Sequence, residues 1–398
     1  MLAPTLLGWC AGLVGTSFAA PLSPDALVRA ALRADPHVVA AEARLSAARG
    51  ALAEARGPRF NPTLSGAASL TSDQLALELV QPMSPVEGGH RAQAAQAALR
   101  AAELDLARAR LEAAAEARIL LAQAAVAVSV EALSEELLDD ARARRDLAER
   151  RVEAGEWPAL EARLARLELA SAAEAAIRAR QEADAARVRI AGLLPEAGGE
   201  GLVLPEDPRA AVPAPTRSVG DRLDVSAASA RVQAADATSR AARAGARTAL
   251  DLGAFAERDG GAWSVGPSLS LTVPLWHAHP AERASAAADL AEASAALTRI
   301  EAEARAEQRL TGAARADADL AEQALGPDAL KDASEALRAV EAAVRSGELD
   351  RSTASLLRAE IRAGASSALA LRGAVAEAHV RALLANDDPA LLPAEVSP

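Results

Sequence analysis

The sequence predicts a mostly α protein with a small β part, arranged as a duplicated unit of helix, strand, strand and long helical hairpin. Three observations carry this. First, about 110 of the 398 residues are alanine, while aromatic residues make up only 2%. Alanine is the best helix former, but it fills little volume, and compact cores of this length draw their buried area from larger side chains. The composition suits long helices lying close together. Second, landmarks recur at a fixed distance. Pro82 precedes Gly155 by 73 residues and Pro274 precedes Gly347 by 73, so the two pairs are offset by 192, a shift that also maps Arg91 onto Arg283. Upstream, residues 43–48 resemble residues 230–235 at an offset of 187, and a loop around the strands can absorb the difference of five. Third, two stretches alternate with a period of two amid helical sequence.

Taken in order, residues 1–19 are uncharged and apolar and end in Ser17-Phe18-Ala19, a small-x-small pattern suited to cleavage after Ala19. They read as a signal peptide, although the usual positive n-region is missing and the true start codon is open. Lipidation of Cys10, the single cysteine, is the weaker reading because bulky Trp9 precedes it. The first repeat then occupies residues 20–194. An alanine-rich helical run extends from Pro24 to about Arg56, where Gly57-Pro58 stops it. Strands follow at about 61–70 and 74–82, with Leu75, Leu77 and Leu79 on one face. A helical hairpin covers 87–194. Its first arm lacks proline and has almost no glycine up to Ala154, giving a length of ~100 Å at 1.5 Å per residue. Gly155 turns the chain and Pro158 opens the second arm.

Residues 195–220 hold five prolines and read as a linker draped over the helices. The second repeat spans 221–385, with strands at about 250–258 and 262–275 and a helical hairpin at 280–385. Trp263, Val265, Leu269, Leu271, Val273 and Leu275 share one parity, while Ser264, Gly266, Ser268, Ser270 and Thr272 take the other. Gly326-Pro327 should break its first arm. Gly347 turns the hairpin, and Asp350 or Ser352 can cap the next helix. Residues 386–398 read as a flexible tail.

Charge and motifs exclude several functions. With 43 basic and 55 acidic residues the net charge is −12, a poor match to nucleic acid. No Gly-rich phosphate loop, dinucleotide fingerprint or Ser/His/Asp arrangement is present, so the chain is not expected to be an enzyme or to need a cofactor. His277 and His279 lack a third ligand nearby for a metal.

A period of two with one apolar and one small polar face fits a half-buried strand, and equally a membrane-barrel strand with its apolar face towards lipid. Most aromatics beyond the signal peptide lie in or beside the strand pairs, with Phe60, Trp263 and Trp276 at strand ends, where interfacial anchors belong. Four strands cannot close a barrel, and an open edge is not tolerated in lipid. Three copies would supply twelve, continued on one side of the membrane by the long helices.

These features resemble the TolC-like outer-membrane efflux family. The carriers are Ala34-Asp35-Pro36, Asn61-Pro62-Thr63-Leu64, Leu271-Thr272-Val273-Pro274-Leu275 and the Gly155 and Gly347 tips, the second followed by Leu356-Leu357-Arg358-Ala359-Glu360. The resemblance covers about residues 22–385. It implies a homotrimer with a twelve-stranded outer-membrane barrel over a long α-helical periplasmic barrel. It further implies an exit duct for a tripartite efflux pump or a type I secretion system, working with a periplasmic adaptor protein and an inner-membrane efflux transporter. By the same resemblance, the hairpin tips close the entrance and dock the adaptor. Here these are Ala154, Gly155 and Glu156, and Arg345, Ser346, Gly347, Glu348 and Leu349. Some relatives place aspartates six and nine residues after the second-tip glycine; this chain has Thr353 and Leu356 there, so that ring is missing. Glu156, Glu161, Glu348 and Asp350 are the carboxylates that could supply gate charge instead, against the plainer reading of solvated helix ends. The alternative function is a periplasmic coiled-coil scaffold without a pore.

Overall fold

The computed structural model describes residues 23–57, 61–69, 74–83, 85–194, 204–205, 207–216, 222–245, 249–259, 261–272, 279–326 and 328–396. The expected signal peptide, Cys10, Phe60, Trp276, His277 and the Val273–Leu275 end of the last strand lie outside these residues.

The chain is mostly helical, with one small antiparallel sheet. Helix α1 (Pro24–Ala34) is capped by Ser23, whose Oγ accepts the Ala26 N–H at 3.2 Å. Helix α2 (Pro36–Arg56) is capped by Asp35, whose carboxylate accepts the His37 and Val38 N–H groups at 2.6 and 3.2 Å. The sequence alone reads as one helical run here. It divides because a residue before proline is pushed out of the α region; Asp35 is extended at ψ 121° and becomes the cap of the second helix.

Strands β1 (Thr63–Ser69) and β2 (Gln74–Met83) lead into α3 (Pro85–Glu153), a helix of 69 residues. Helix α4 (Ala159–Leu193) returns alongside it. A short 3-10 turn (Pro208–Ala211) precedes α5 (Leu223–Gly245), β3 (Ala249–Asp259) and β4 (Ala262–Thr272). Next come α6 (Pro280–Leu325), α7 (Ala329–Ser346) and α8 (Arg351–Ala385). The break between α6 and α7 falls at Gly326, in a positive-φ conformation.

Helix α3 is the spine, packing against α1, α2, α4, α5 and α8, while α6 lies between α5 and α8. Ala114, Ala115, Ala124 and Ala125 of α3 are fully buried, so small side chains are used where helices approach one another. The larger core residues gather at one level, where Leu27, Val28, Leu121, Ile190, Val380 and Leu391 pack together. One window within Val86–Glu153 is apolar enough by length and composition to cross a membrane, but Leu121, Ala122 and Ala124 place that stretch of α3 in this core.

The tail from 386 is packed rather than loose. Leu391 is fully buried and Leu392 nearly so, at the end of a 3-10 turn (Pro389–Leu391). Asp388 caps that turn and accepts the Thr216 hydroxyl at 2.8 Å. Two leucines seeking apolar cover account for the difference. Buried Arg118 of α3 sits beneath them, donating to the carbonyls of Leu391 (2.9 Å) and Ala211 (3.2 Å) and to Asp25 (3.0 Å). Burial pulls its guanidinium below the usual range, and Asp25 opposes the shift.

A second clamp joins α5, α6 and the tail. Arg222 donates to Asp224 (2.6 Å), Glu307 (2.7 Å) and the Ala385 carbonyl (3.1 Å). Asp387 accepts from Arg108 (2.5 Å) and from the Leu223 N–H (2.6 Å).

Candidate functional site

The four strands pair in the order β1-β2-β3-β4, all antiparallel. The register sets Leu64 opposite Leu79, Leu79 opposite Ala254, Leu252 opposite Leu269 and Leu250 opposite Leu271. Side chains alternate faces along a strand, so these residues, with Leu77, Trp263 and Val265, share one surface. That surface is uncovered: Val265 is 75% and Leu269 70% exposed. A contiguous apolar patch of this extent marks an interface with lipid or protein. Of the expected anchors only Trp263 lies within the described residues, half exposed at the start of β4 and opposite Arg258.

The other face is polar. It carries Ser65, Glu78, Asp251, Glu257, Ser264 and Ser270, with Ser270 donating to Asp251 at 2.9 Å. Phe255 also falls on this face, so not every aromatic of the strands belongs to the apolar one.

The helical tips form a second region. At the first, Gly155 has φ 72°, and the Glu156 N–H reaches back to the Arg151 carbonyl at 2.9 Å. At the second, Gly347 has φ 79°, and the Glu348 N–H reaches the Ala343 carbonyl at 3.0 Å. Trp157 and Leu349 donate to the same two carbonyls, at 3.2 and 3.1 Å. Both ends are left-handed glycine stops of the Schellman kind, and each bond of one maps onto the other by the shift of 192. Ala154 and Ser346 are exposed residues just ahead of the glycines, as is Arg345.

The proposed gate carboxylates do not form one group. Glu156 is ion-paired with Arg151. Asp350 caps α8, accepting the Thr353 N–H at 2.9 Å and its hydroxyl at 2.5 Å. Glu348 is exposed at the tip. Glu161 lies inside a cleft between the hairpins, lined by α3, α4, α7 and α8.

That cleft, about 670 Å³, holds a cluster the sequence did not reveal. Arg144 of α3 donates to Glu168 of α4 at 2.6 Å, and Arg362 of α8 stands 3.7 Å from the same carboxylate. Arg358 of α8 lines the same cleft. Burial, and then the charge of Arg144, hold the Arg358 and Arg362 guanidinium groups below their usual range. Arg358 and Arg362 are four apart and so share a helix face, but nothing local in the sequence announces Arg144 across from them. Among the described residues no three His, Cys, Asp or Glu side chains come together in a way that could hold a metal ion, and His279 lies 3.9 Å from Glu282 alone.

Solved structures share this architecture. The outer-membrane channel OprN superposes with a TM-score of 0.68 at 24% identity, covering 92% of this chain and 90% of its own. CusC, solved in a study of folding and transmembrane channel formation, gives 0.74 at 15% identity with 93% of both chains covered. The CmeC outer-membrane channel of Campylobacter jejuni gives 0.72 at 16%, covering 92% of this chain and 85% of its own. This chain has the fold of TolC-type outer-membrane channels. No protein-family model matches the sequence, and no curated protein matches it. In this chain α3 follows β2 and runs to the Gly155 turn, and α7 ends at Gly347.

Proposed function

We propose that this chain is a non-enzymatic exit duct in the bacterial outer membrane, assembled as a homotrimer. The observation that carries the reading is the sheet: one largely apolar, uncovered face, interrupted by Gln81 and by Arg258 beside Trp263, and unpaired outer edges on β1 and β4 among the described residues. In lipid such edges must pair. In a four-stranded antiparallel order β1 and β4 run in opposite directions, so β4 of one copy can pair antiparallel with β1 of the next. Three copies then close a barrel of twelve strands, within the size range of membrane barrels. Strands β3 and β4, each of 11 residues, match the ~9–11 needed to span a bilayer. Phe60, Trp263 and Trp276 are its interfacial anchors, and residues 1–19 direct export.

On this reading residues 20–194 and 221–385 are the two repeats of each subunit, and their helices form the periplasmic tube. The tips at Ala154–Glu156 and Arg345–Leu349 meet a periplasmic adaptor protein, which links the duct to an inner-membrane efflux transporter. Glu348 and Asp350, repeated threefold, supply gate charge. The cargo is small molecules or metal ions, and the polar sheet face lines their path.

The test compares the two sheet faces in the full mature protein. Leu269→Arg puts a charge on the lipid-facing side, at a cost of about 2–4 kcal/mol near the bilayer midplane. It should abolish heat-sensitive oligomers in outer-membrane fractions. Ser264→Arg, on the opposite face, should leave the oligomer intact and lower single-channel conductance in planar bilayers. A native chain that is soluble without detergent and forms no conducting oligomer would establish the scaffold reading instead.

A further inference from the structure

The cleft between the two hairpins combines clustered arginines with exposed apolar side chains. Helices α4 and α8 flank it without close backbone packing on one another. Its floor and sides include Trp157, Leu164 and Leu356, and its volume of about 670 Å³ falls in the range of small-molecule sites. Arg144 from α3 and Arg358 and Arg362 from α8 line the cleft, together with the carboxylates of Glu161 and Glu168. Of these acids, Glu168 is engaged by both Arg144 and Arg362. Asp140 and Glu341 act on Arg358 only through longer-range attraction.

Hydrogen-bond donors, and not net charge, are what these guanidinium groups have left over. Arg144 Nη2, Arg358 Nε, and Nε and Nη2 of Arg362 are buried and have no hydrogen-bond partner among the described residues. Buried donors of this kind are rare and costly. Four of them, on three side chains converging from α3 and α8, leave hydrogen-bonding capacity unused beside a cleft that the same side chains line. Guanidinium groups favour planar or tetrahedral oxyanions, which take two N–H groups at once.

We propose that this cleft binds a small amphiphilic anion. Its carboxylate, sulfate or sulfonate head lies on Arg358 and Arg362, and its apolar body lies against Trp157, Leu164 and Leu356. A bound anion also joins α8 to α4, so occupancy fixes the spacing of the two hairpins. The site belongs to a single chain and does not depend on the pore.

The probe is 5-dimethylaminonaphthalene-1-sulfonate, compared with its uncharged primary sulfonamide, on the full mature protein in lipid nanodiscs. Binding is read as saturable energy transfer that is lost in Trp157→Phe, which removes transfer from ring and lipid partitioning elsewhere. The native protein should bind the sulfonate at least tenfold more tightly than the sulfonamide, since the head makes charge-assisted hydrogen bonds. The pair Arg358→Gln and Arg362→Gln should weaken sulfonate binding at least tenfold and leave the sulfonamide unchanged. Should the double variant not assemble, Arg358→Gln alone and the native sulfonate-to-sulfonamide ratio decide the matter. Equal affinity for the two probes, or equal sulfonate affinity in native and substituted protein, overturns the site. Neither result bears on conductance, which separately tests the duct.

Discussion

Helix α8 can lie against α3 because position 373 has no side chain. A Cβ added to Gly373 would stand 2.5 Å from Cγ2 of Val126 and 3.7 Å from its Cβ. Carbon atoms rest at about 3.5–4.0 Å, so Gly373→Ala forces the two helices, or the valine, to give by about 1 Å. Valine is stiff at χ1 in a helix and cannot swing clear without strain. Overpacking of this kind costs about 1–3 kcal/mol, while alanine gains about 1 kcal/mol over glycine in helix propensity. The net effect should be a loss of up to about 2 kcal/mol. In a Val126→Ala background the obstructing methyl is gone, and the same change should stabilise by about 1 kcal/mol. The sign reversal is the signature, a coupling of about 1–3 kcal/mol between two contacting residues. Apparent unfolding temperatures of the native protein, the two single variants and the double variant measure it. A Gly373→Ala shift of the same sign and size in both backgrounds would refute the close approach of α8 and α3.

Further outcomes follow from the clamps and the tips. Gly155→Ala and Gly347→Ala each place a side chain in the left-handed region and should destabilise the local turn by about 1 kcal/mol, seen as faster proteolysis there and nowhere else. Burial pushes the Asp224 carboxyl up, but the hydrogen bond and charge of Arg222 outweigh this and hold it below its usual range. Its contribution is therefore complete above about pH 4 and is lost as pH falls through the depressed value. Asp224→Asn should lower the unfolding temperature at pH 7, and the gap to the native protein should close on acidification; a gap constant down to pH 2 contradicts the pairing. Replacing Glu348 and Asp350 together by Gln and Asn should alter conductance or its block by multivalent cations, and unchanged currents would remove both from the gate.

Strand alternation in residues 262–272 and the equal spacing of Gly155 and Gly347 were legible because both are local. A period of two needs only neighbours, and a left-handed stop needs only its glycine. The pairing of β2 with β3 was not legible, because it joins Gln74 to Asp259 across the whole first hairpin. Asp35 was readable in principle from the proline after it, but the alanine run on both sides masked the boundary. The packed tail is hard to read for a similar reason: its polar start, Asn386-Asp387-Asp388, has the composition of a solvated terminus, although Leu391 and Leu392 follow. The arginine cleft was hidden more deeply. In an alanine-rich helix any face can be the buried one, so sequence does not say that Arg144 looks towards Arg362. Only tertiary packing decides that.

The Arg118 clamp bears on the order in which this molecule can be made. Its guanidinium is satisfied by residues 25, 211 and 391, which span nearly the entire chain. A polypeptide that stops short of Leu391 leaves that cation facing a hollow in the middle of α3, with the apolar cluster around Leu121 still open. Docking of residues 389–392 onto the helices is thus the step that completes this core. A truncated copy carries an uncovered flaw at its centre, where proteases can recognise it, instead of entering an assembly as a silent defect.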